Sequence, residues 1–145
     1  MDKPIWVVVA NSSMARVLEF NPDKPERWTE KECLTHPQSR QQGVGAGHEP
    51  GGHSIAGRSG LAPRTDPREH ERHEFARQVA HTVKALVSAG QIGSLVVFAT
   101  NPFLGQLLGQ LEDATTKRVS ASHPLDLTGL PLPDLARRLH AEFGL

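Results

Sequence analysis

The segment GHEPGGHSIAGRSG, residues 47–60, carries the residue types in this chain that are best suited to binding chemistry. Its five glycines and one proline fit neither a helix nor a strand. Glycine amides can approach phosphate oxygens closely, and arginine and histidine side chains supply positive charge. The pattern predicts contact with an RNA backbone through the segment and the helix after it. The residues expected to make this contact are Gly51, Gly52, His53, Arg58, Arg64, His70, Arg77 and His81.

RNA contact of this kind would not read a base sequence. No aromatic residue lies between Trp28 and Phe75, so the segment lacks the side chains on which unpaired bases stack. The chain has sixteen basic and sixteen acidic side chains, so it has no overall field that attracts a polyanion. Any nucleic-acid site must therefore be local.

Two other chemistries draw on the same segment, and both rest on residue types alone. One is a hydrolase with Ser54 or Ser59 as nucleophile and a nearby histidine as base, for which His53 and Ser54 are the named pair, although no Gly-x-Ser-x-Gly elbow is present. The other is a zinc site, although its histidines follow no metal-ligand spacing and include no cysteine partner. We therefore expect no cofactor, metal or catalytic residue, and an exposed surface loop is the plainest alternative. The histidines of the zinc hypothesis are His48, His53, His70 and His73.

Length and composition set the broad class. The 145 residues predict a single domain, 1–145, with a long glycine-rich loop at about 37–64. The single cysteine, Cys33, excludes an internal disulfide and is expected to be a small buried residue within a strand. With no apolar segment long enough to cross a membrane, the sequence predicts a cytoplasmic protein. It does not predict an oligomeric state.

Hydrophobic patterning predicts eight secondary-structure elements. Residues 4–10 and 94–100 are apolar at nearly every position, as in strands that are covered on both faces. Residues 27–36 and 118–123 are polar, as expected of edge strands. A fifth strand, 14–20, follows the first as a hairpin. The predicted helices are 65–90, 101–112 and 132–143.

The order of these elements predicts an α/β protein with the ribonuclease H-like fold. Three successive strands suit an antiparallel meander, and the later alternation of helix and strand requires parallel crossovers. The order β-β-β-α-β-α-β-α therefore gives a five-stranded mixed sheet with strand order 3-2-1-4-5. The two apolar strands lie side by side at its centre, and their carboxyl ends form a crevice. The candidates for anion binding there are Asn11, Ser12, Thr100 and Asn101.

The same positions argue against metal-dependent nuclease activity. A ribonuclease H-like nuclease needs carboxylates on these strands to hold two metal ions. Here the apolar stretches end in Asn11 and Asn101, and neither contains an acidic residue. Amides do not supply the negative charge that divalent cations require. Helix capping alone is a sufficient role for Asn101.

Four segments, in order and spacing, resemble the bacterial family of proteins required for attachment to host cells. They read ANSSMARVLEF, LTHPQSR, APRTDPREHERHEFARQVA and LVVFATNPFLGQL. That family is similar in turn to the middle domain of archaeal and eukaryotic peptide-chain release factors. The resemblance places residues 50–54 at the Gly-Gly-Gln loop that such factors insert into the ribosome. His53 stands where that loop has glutamine, which argues against release activity.

The resemblance and the residues together favour a non-catalytic, cytoplasmic binding module that contacts ribosomal or transfer RNA through the glycine-rich loop. Two alternatives stay open. One is a protein-protein adaptor in host attachment, and the other is a small hydrolase acting on peptidyl-tRNA or another ester. The partner is therefore expected to be the ribosome, tRNA or another protein, and not a membrane.

Overall fold

The computed structural model describes residues 4–23, 27–36 and 67–145. The described strands are β1 (Ile5–Ala10), β2 (Met14–Phe20), β3 (Trp28–Thr35), β4 (Ser94–Ala99) and β5 (Val119–His123). The described helices are α1 (Pro67–Ser88), α2 (Phe103–Gln110), α3 (Asp113–Thr116) and α4 (Leu132–Phe143). The eight predicted elements are all present, with ends that differ by up to two residues. The four-residue α3 was not predicted.

The five strands form one mixed sheet of order β3-β2-β1-β4-β5, which confirms the predicted order. The hairpin partners β1 and β2, and then β2 and β3, pair antiparallel. The crossover partners β1 and β4, and then β4 and β5, pair parallel. Val8 lies opposite Val97 in this register, and Ala10 lies opposite Ala99. The two apolar strands are therefore neighbours at the centre of the sheet.

Both faces of the central strands are buried, which explains their lack of alternation. Side chains at even positions of β1, such as Val8, pack in one cluster with α1 and α2. Side chains at odd positions, such as Val7 and Val9, pack in a second cluster with α4. A strand between two helical layers needs apolar residues at every position, because neither face meets water.

Helix α1 packs on the sheet through residues spaced three and four apart. Phe75, Val79 and Val83 are all buried, as the periodicity predicted. The chain leaves the helix through Gly90, whose φ of +75° lies in the left-handed region that glycine adopts without strain. Its amide donates a hydrogen bond to the carbonyl oxygen of Val87.

The expectation for Cys33 was wrong, because this residue is exposed. It lies on β3, an edge strand whose middle residues, Lys31 to Cys33, are all exposed. An edge strand has a neighbour on one side only, and here neither helical layer covers its centre. Position within a strand therefore did not imply burial.

None of the helices in the described parts of the chain is long and apolar enough to cross a membrane.

Replacement of Leu139 by alanine tests the packing of α4. Leu139 is completely buried against the sheet, so the free energy of unfolding should fall by about 2–5 kcal/mol. The neighbouring Arg138 forms only a surface ion pair, with Glu142. Arg138→Ala should therefore change the free energy of unfolding by less than about 0.5 kcal/mol. Urea denaturation followed by circular dichroism measures both. Equal effects of the two substitutions would contradict this packing.

Candidate functional site

The carboxyl ends of β1 and β4 lie at the same edge of the sheet. Because the strands are parallel with Ala10 opposite Ala99, residues 11 and 100 leave the sheet side by side. The chain turns back into β2 after β1, and continues into α2 after β4. In open α/β sheets a crevice forms at such a divergence, and a crevice at this edge stays a prediction.

The side chain of Asn11 is hydrogen-bonded to other residues of the chain. Its Oδ1 accepts hydrogen bonds from the backbone amides of Ser13, at 2.8 Å, and Met14, at 2.9 Å. Its Nδ2 donates to Asp126 Oδ2 at 3.0 Å and to Thr128 Oγ1 at 3.1 Å. The residue thus fixes the β1–β2 turn and joins it to the loop between β5 and α4.

Beside this turn, a buried arginine joins the same loop to the edge of the sheet. Arg16 is only 7% exposed and every nitrogen of its guanidinium is hydrogen-bonded. Its Nη2 lies 2.8 Å from Glu30 Oε1 on β3. Its Nη1 donates to the carbonyl oxygens of Thr128, at 3.0 Å, and Leu130, at 2.6 Å. A buried guanidinium is stable only when it is paired and hydrogen-bonded in this way.

The carboxylate of Asp126 is part of this network. Burial alone would raise its pKa, but hydrogen bonds from the Thr128 hydroxyl, the Asn11 amide and the Thr128 backbone lower that pKa below its usual value. Asp126 Oδ1 accepts from the Thr128 hydroxyl at 2.6 Å and from the Thr128 amide at 2.9 Å. Its role here is to order the loop.

The residues after β4 are more open to solvent. Thr100 and Asn101 are exposed, and Asn101 Oδ1 accepts a 3.3 Å hydrogen bond from the amide of Gly105 in the first turn of α2. The N-cap position itself is Pro102 and receives no side-chain cap hydrogen bond, so Asn101 supports the helix start only through this long contact and not as the expected cap. Ser12 is half-buried. Among the described residues, no hydrogen bond joins residues 11–12 to residues 100–101, so anion binding by these four residues stays a prediction.

His36, for which the sequence suggested no role, connects the end of β3 to α1. His36 is 2% exposed, and its Nε2 lies 2.8 Å from Oε1 of Glu71. Its ring lies 5.1 Å from that of Phe75, and its backbone amide donates to the carbonyl oxygen of Ser13 at 2.9 Å. We call the His36–Glu71 contact the clasp. The clasp holds His36, which precedes residues 37–66, beside α1, which follows them.

The exposed face of α1 begins at the clasp and carries three of the predicted RNA-contact residues. His70, Arg77 and His81 are all exposed. Arg77 donates a 2.6 Å hydrogen bond to Glu74, and this bond is the main reason that the pKa of Glu74 lies below its usual value. A groove of about 550 Å³ separates this face from the end of β3. The groove is lined by Leu34, Glu74, Arg77, Gln78, His81 and Thr82.

The described histidines do not form a metal site. Nε2 of His73 lies 2.8 Å from Nε2 of Gln110 on α2, where the amide donates and the ring nitrogen accepts. Over residues 4–23, 27–36 and 67–145, no three histidine, cysteine or acidic side chains could together hold a metal ion. His48 and His53, the other members of the zinc hypothesis, lie outside the described residues.

The remaining predicted residues also lie outside the described residues, so their roles stay predictions. They comprise the RNA-contact candidates of the glycine-rich segment and the hydrolase pair. They are Gly51, Gly52, His53, Ser54, Arg58 and Arg64.

Sequence reasoning missed both Arg16 and the clasp, although each left a signal. Strand alternation puts Arg16 on the same face as the buried Leu18, so a charged residue at that position called for a partner. The partners lie 112 and 114 residues away, at Thr128 and Leu130, and no local pattern identifies them. His36 and Glu71 belong to two of the segments that carried the family resemblance.

Comparison with known proteins identifies a family and several similar solved structures. The profile of a family described as protein required for attachment to host cells matches residues 6–139. No curated protein matches the chain. The structure is similar to that of the archaeal translation termination factor aRF1, with a TM-score of 0.52 and 13% sequence identity over 88% of this chain. A second structure, described as an archaeal protein, gives a TM-score of 0.49 and 10% identity over 96% of this chain.

The chain spans about a third of each of these two structures, 32% of the termination factor and 33% of the other protein. At such identities the likeness to the termination factor is one of fold alone.

A double-mutant cycle on the clasp measures its contribution. His36→Ala should lower the free energy of unfolding by about 2–4 kcal/mol, because it removes a buried ring and its hydrogen bond. Glu71→Gln should lower the free energy of unfolding by less than His36→Ala does. The interaction energy between the two substitutions should be about 1–2 kcal/mol. The exposed Glu69→Gln, on the same helix, is the control and should show no coupling with His36→Ala. Coupling as small for Glu71 as for Glu69 would rule the clasp out.

Asp126→Asn tests the turn network through its pH dependence. Because the folded pKa of Asp126 is lowered, its ionised form stabilises the fold above the usual pKa of 3.8, and this stabilisation is lost as the pH falls through the folded pKa. Near neutral pH the free energy of unfolding of the variant should therefore be about 1–2 kcal/mol lower than that of the parent. This difference between the two proteins should become smaller in acid. Denaturation at several pH values measures it. Asp23→Asn, at an exposed turn, should show no such gap.

Proposed function

The chain belongs to the family of proteins required for attachment to host cells, and from that premise we propose that it is a non-catalytic binding module that contacts ribosomal or transfer RNA. The proposed contact surface is the exposed face of α1 together with the glycine-rich segment before it. We also propose that its sheet is ribonuclease H-like, that residues 1–145 form one domain, and that the protein is cytoplasmic.

One observation carries the RNA proposal most directly. His70, Arg77 and His81 lie along one exposed face of α1, and the groove beside Arg77 and His81 opens onto that face. Arg77 and His81 are four residues apart, and His70 precedes Arg77 by seven residues, about two turns, so all three can meet phosphates of one strand. Phosphate contact depends on such local positive charge and not on net charge.

The clasp supports the same surface. Because His36 is held against Glu71, the chain enters and leaves residues 37–66 close to the first turns of α1. Glycine amides and arginines in that stretch would then act beside the basic side chains of the helix. Two linked contact elements bind a backbone more tightly than either alone.

The fold that this chain shares with an archaeal termination factor supports the proposal of a ribosomal partner. That protein is named for translation termination, and the present chain spans about a third of its length. We propose that this chain shares contact with translational RNA and not the termination reaction, since His53 stands in place of the glutamine. Asn11 and Asp126 give no support to a catalytic role, because both are hydrogen-bonded to other residues of the chain.

Binding of bulk tRNA over a series of salt concentrations tests the proposal. Fluorescence anisotropy should show a dissociation constant that rises steeply with salt, because phosphate contacts release counterions. Arg77→Gln should weaken binding about threefold to tenfold and lower the salt slope by about one. Arg138→Gln is the matched control, a half-buried arginine that is likewise paired with a glutamate on its own helix. It lies on α4, across the sheet, and should leave both quantities unchanged.

Salt-independent binding, or equal losses for Arg77→Gln and Arg138→Gln, would contradict RNA contact through α1. Such a result would favour the protein-protein adaptor. Ester turnover that is lost in His53→Ala would instead favour the hydrolase, because only that function needs the imidazole ring.

A further inference from the structure

A second groove lies on the other side of the sheet from α1. It has a volume of about 800 Å³ and separates α4 from the start of β3. The lining residues of α4 recur at intervals of three and four, so they form one face of the helix beside its buried stripe of Leu135 and Leu139. The groove is lined by Arg27, Trp28, Leu132, Pro133, Ala136, Arg137, His140, Ala141 and Leu145.

Small side chains keep this groove open. Trp28 forms part of one wall, where it is 4% exposed and packs on the ring of Phe20 at 4.9 Å. The opposite wall carries Ala136 and Ala141, where larger residues would fill the space. An apolar cavity of this size matches the range of small-molecule sites, about 300–1,000 Å³.

The polar groups of the groove favour an anion. Arg27, Arg137 and His140 line it, and none of the lining residues that the structure describes is acidic. Arg137 is paired with Asp134 on the same helix, whereas the side chain of Arg27 has no hydrogen bond or ion pair with any described residue; only its backbone carbonyl oxygen accepts one, from the amide of Asn21. A guanidinium that has no partner among the described residues, at the end of an apolar groove, is complementary to a ligand with one negative end.

The indole of Trp28 adds an unused donor. Trp6, the other tryptophan, donates its Nε1 hydrogen to the carbonyl oxygen of Gln91 at 3.2 Å. In the parts of the chain that are described, Trp28 has no such acceptor. A largely buried indole normally has a hydrogen-bond partner, so this one is available to a ligand oxygen.

We propose that the groove binds an apolar monocarboxylate, an acyl or aromatic acid whose body lies between Trp28 and Ala136 and whose carboxylate faces Arg27. This site is separate from the RNA surface, because the two lie on opposite sides of the sheet. The carboxylate site and the RNA surface can therefore be tested separately, and the failure of one does not affect the other.

Calorimetric titration of the intact protein with decanoate, below its micelle concentration, tests the site. Decanoate should bind with one-to-one stoichiometry, and decyltrimethylammonium, with the same chain and opposite charge, should bind at least about tenfold more weakly. Arg27→Gln should weaken decanoate binding about threefold to tenfold. Ala136→Met should weaken it more, because the longer side chain occupies the groove.

Arg118→Gln is the control, since Arg118 is exposed and lies at the start of β5, away from the groove. It should leave decanoate binding unchanged. Circular dichroism establishes that each variant is folded, and if Ala136→Met unfolds, Arg27→Gln decides. The proposal is overturned by the absence of decanoate binding, by equal affinity for the two amphiphiles, or by equal losses in Arg27→Gln and Arg118→Gln.

Discussion

Parallel pairing of β1 with β4 is the constraint on which the rest of this structure depends. The two strands come from opposite halves of the chain and are apolar at nearly every position, so each must be covered on both faces. Their pairing places α1 and α2 on one side of the sheet and α4 on the other. It also sets the turn after β1 beside the start of α2, at the edge of the sheet where β3 ends and the clasp forms.

Two polar contacts then give this edge its particular shape. Arg16 joins the second strand to the loop before α4, and the clasp of His36 with Glu71 joins the third strand to α1. Both are buried or nearly so, and each replaces water as the partner of a charged or titratable group. As a result, the exposed face of α1 is held next to the residues that flank the glycine-rich segment, and the groove behind α4 stays distinct from it.

The parts of the fold that follow from repeating hydrophobicity were predictable. Phe75, Val79 and Val83 mark the buried face of α1 in the sequence, and the residues of β1 mark a central strand, so element order and strand order came out correctly. Contacts between distant residues were not predictable in the same way. Arg16 meets Thr128 across 112 residues, and a single arginine in an apolar strand shows only that some partner must exist. Cys33 was misjudged because burial depends on what covers an edge strand, which no local pattern records.

The central functional claim is that RNA lies against the exposed face of α1. The most direct test is to follow the backbone amide signals of the protein by NMR as tRNA is added. If RNA lies against α1, the signal changes should cluster at His70, Arg77 and His81 and at neighbouring residues of α1, and they should fade as salt is raised. Changes confined to α4 and β5, or no changes at all, would contradict it.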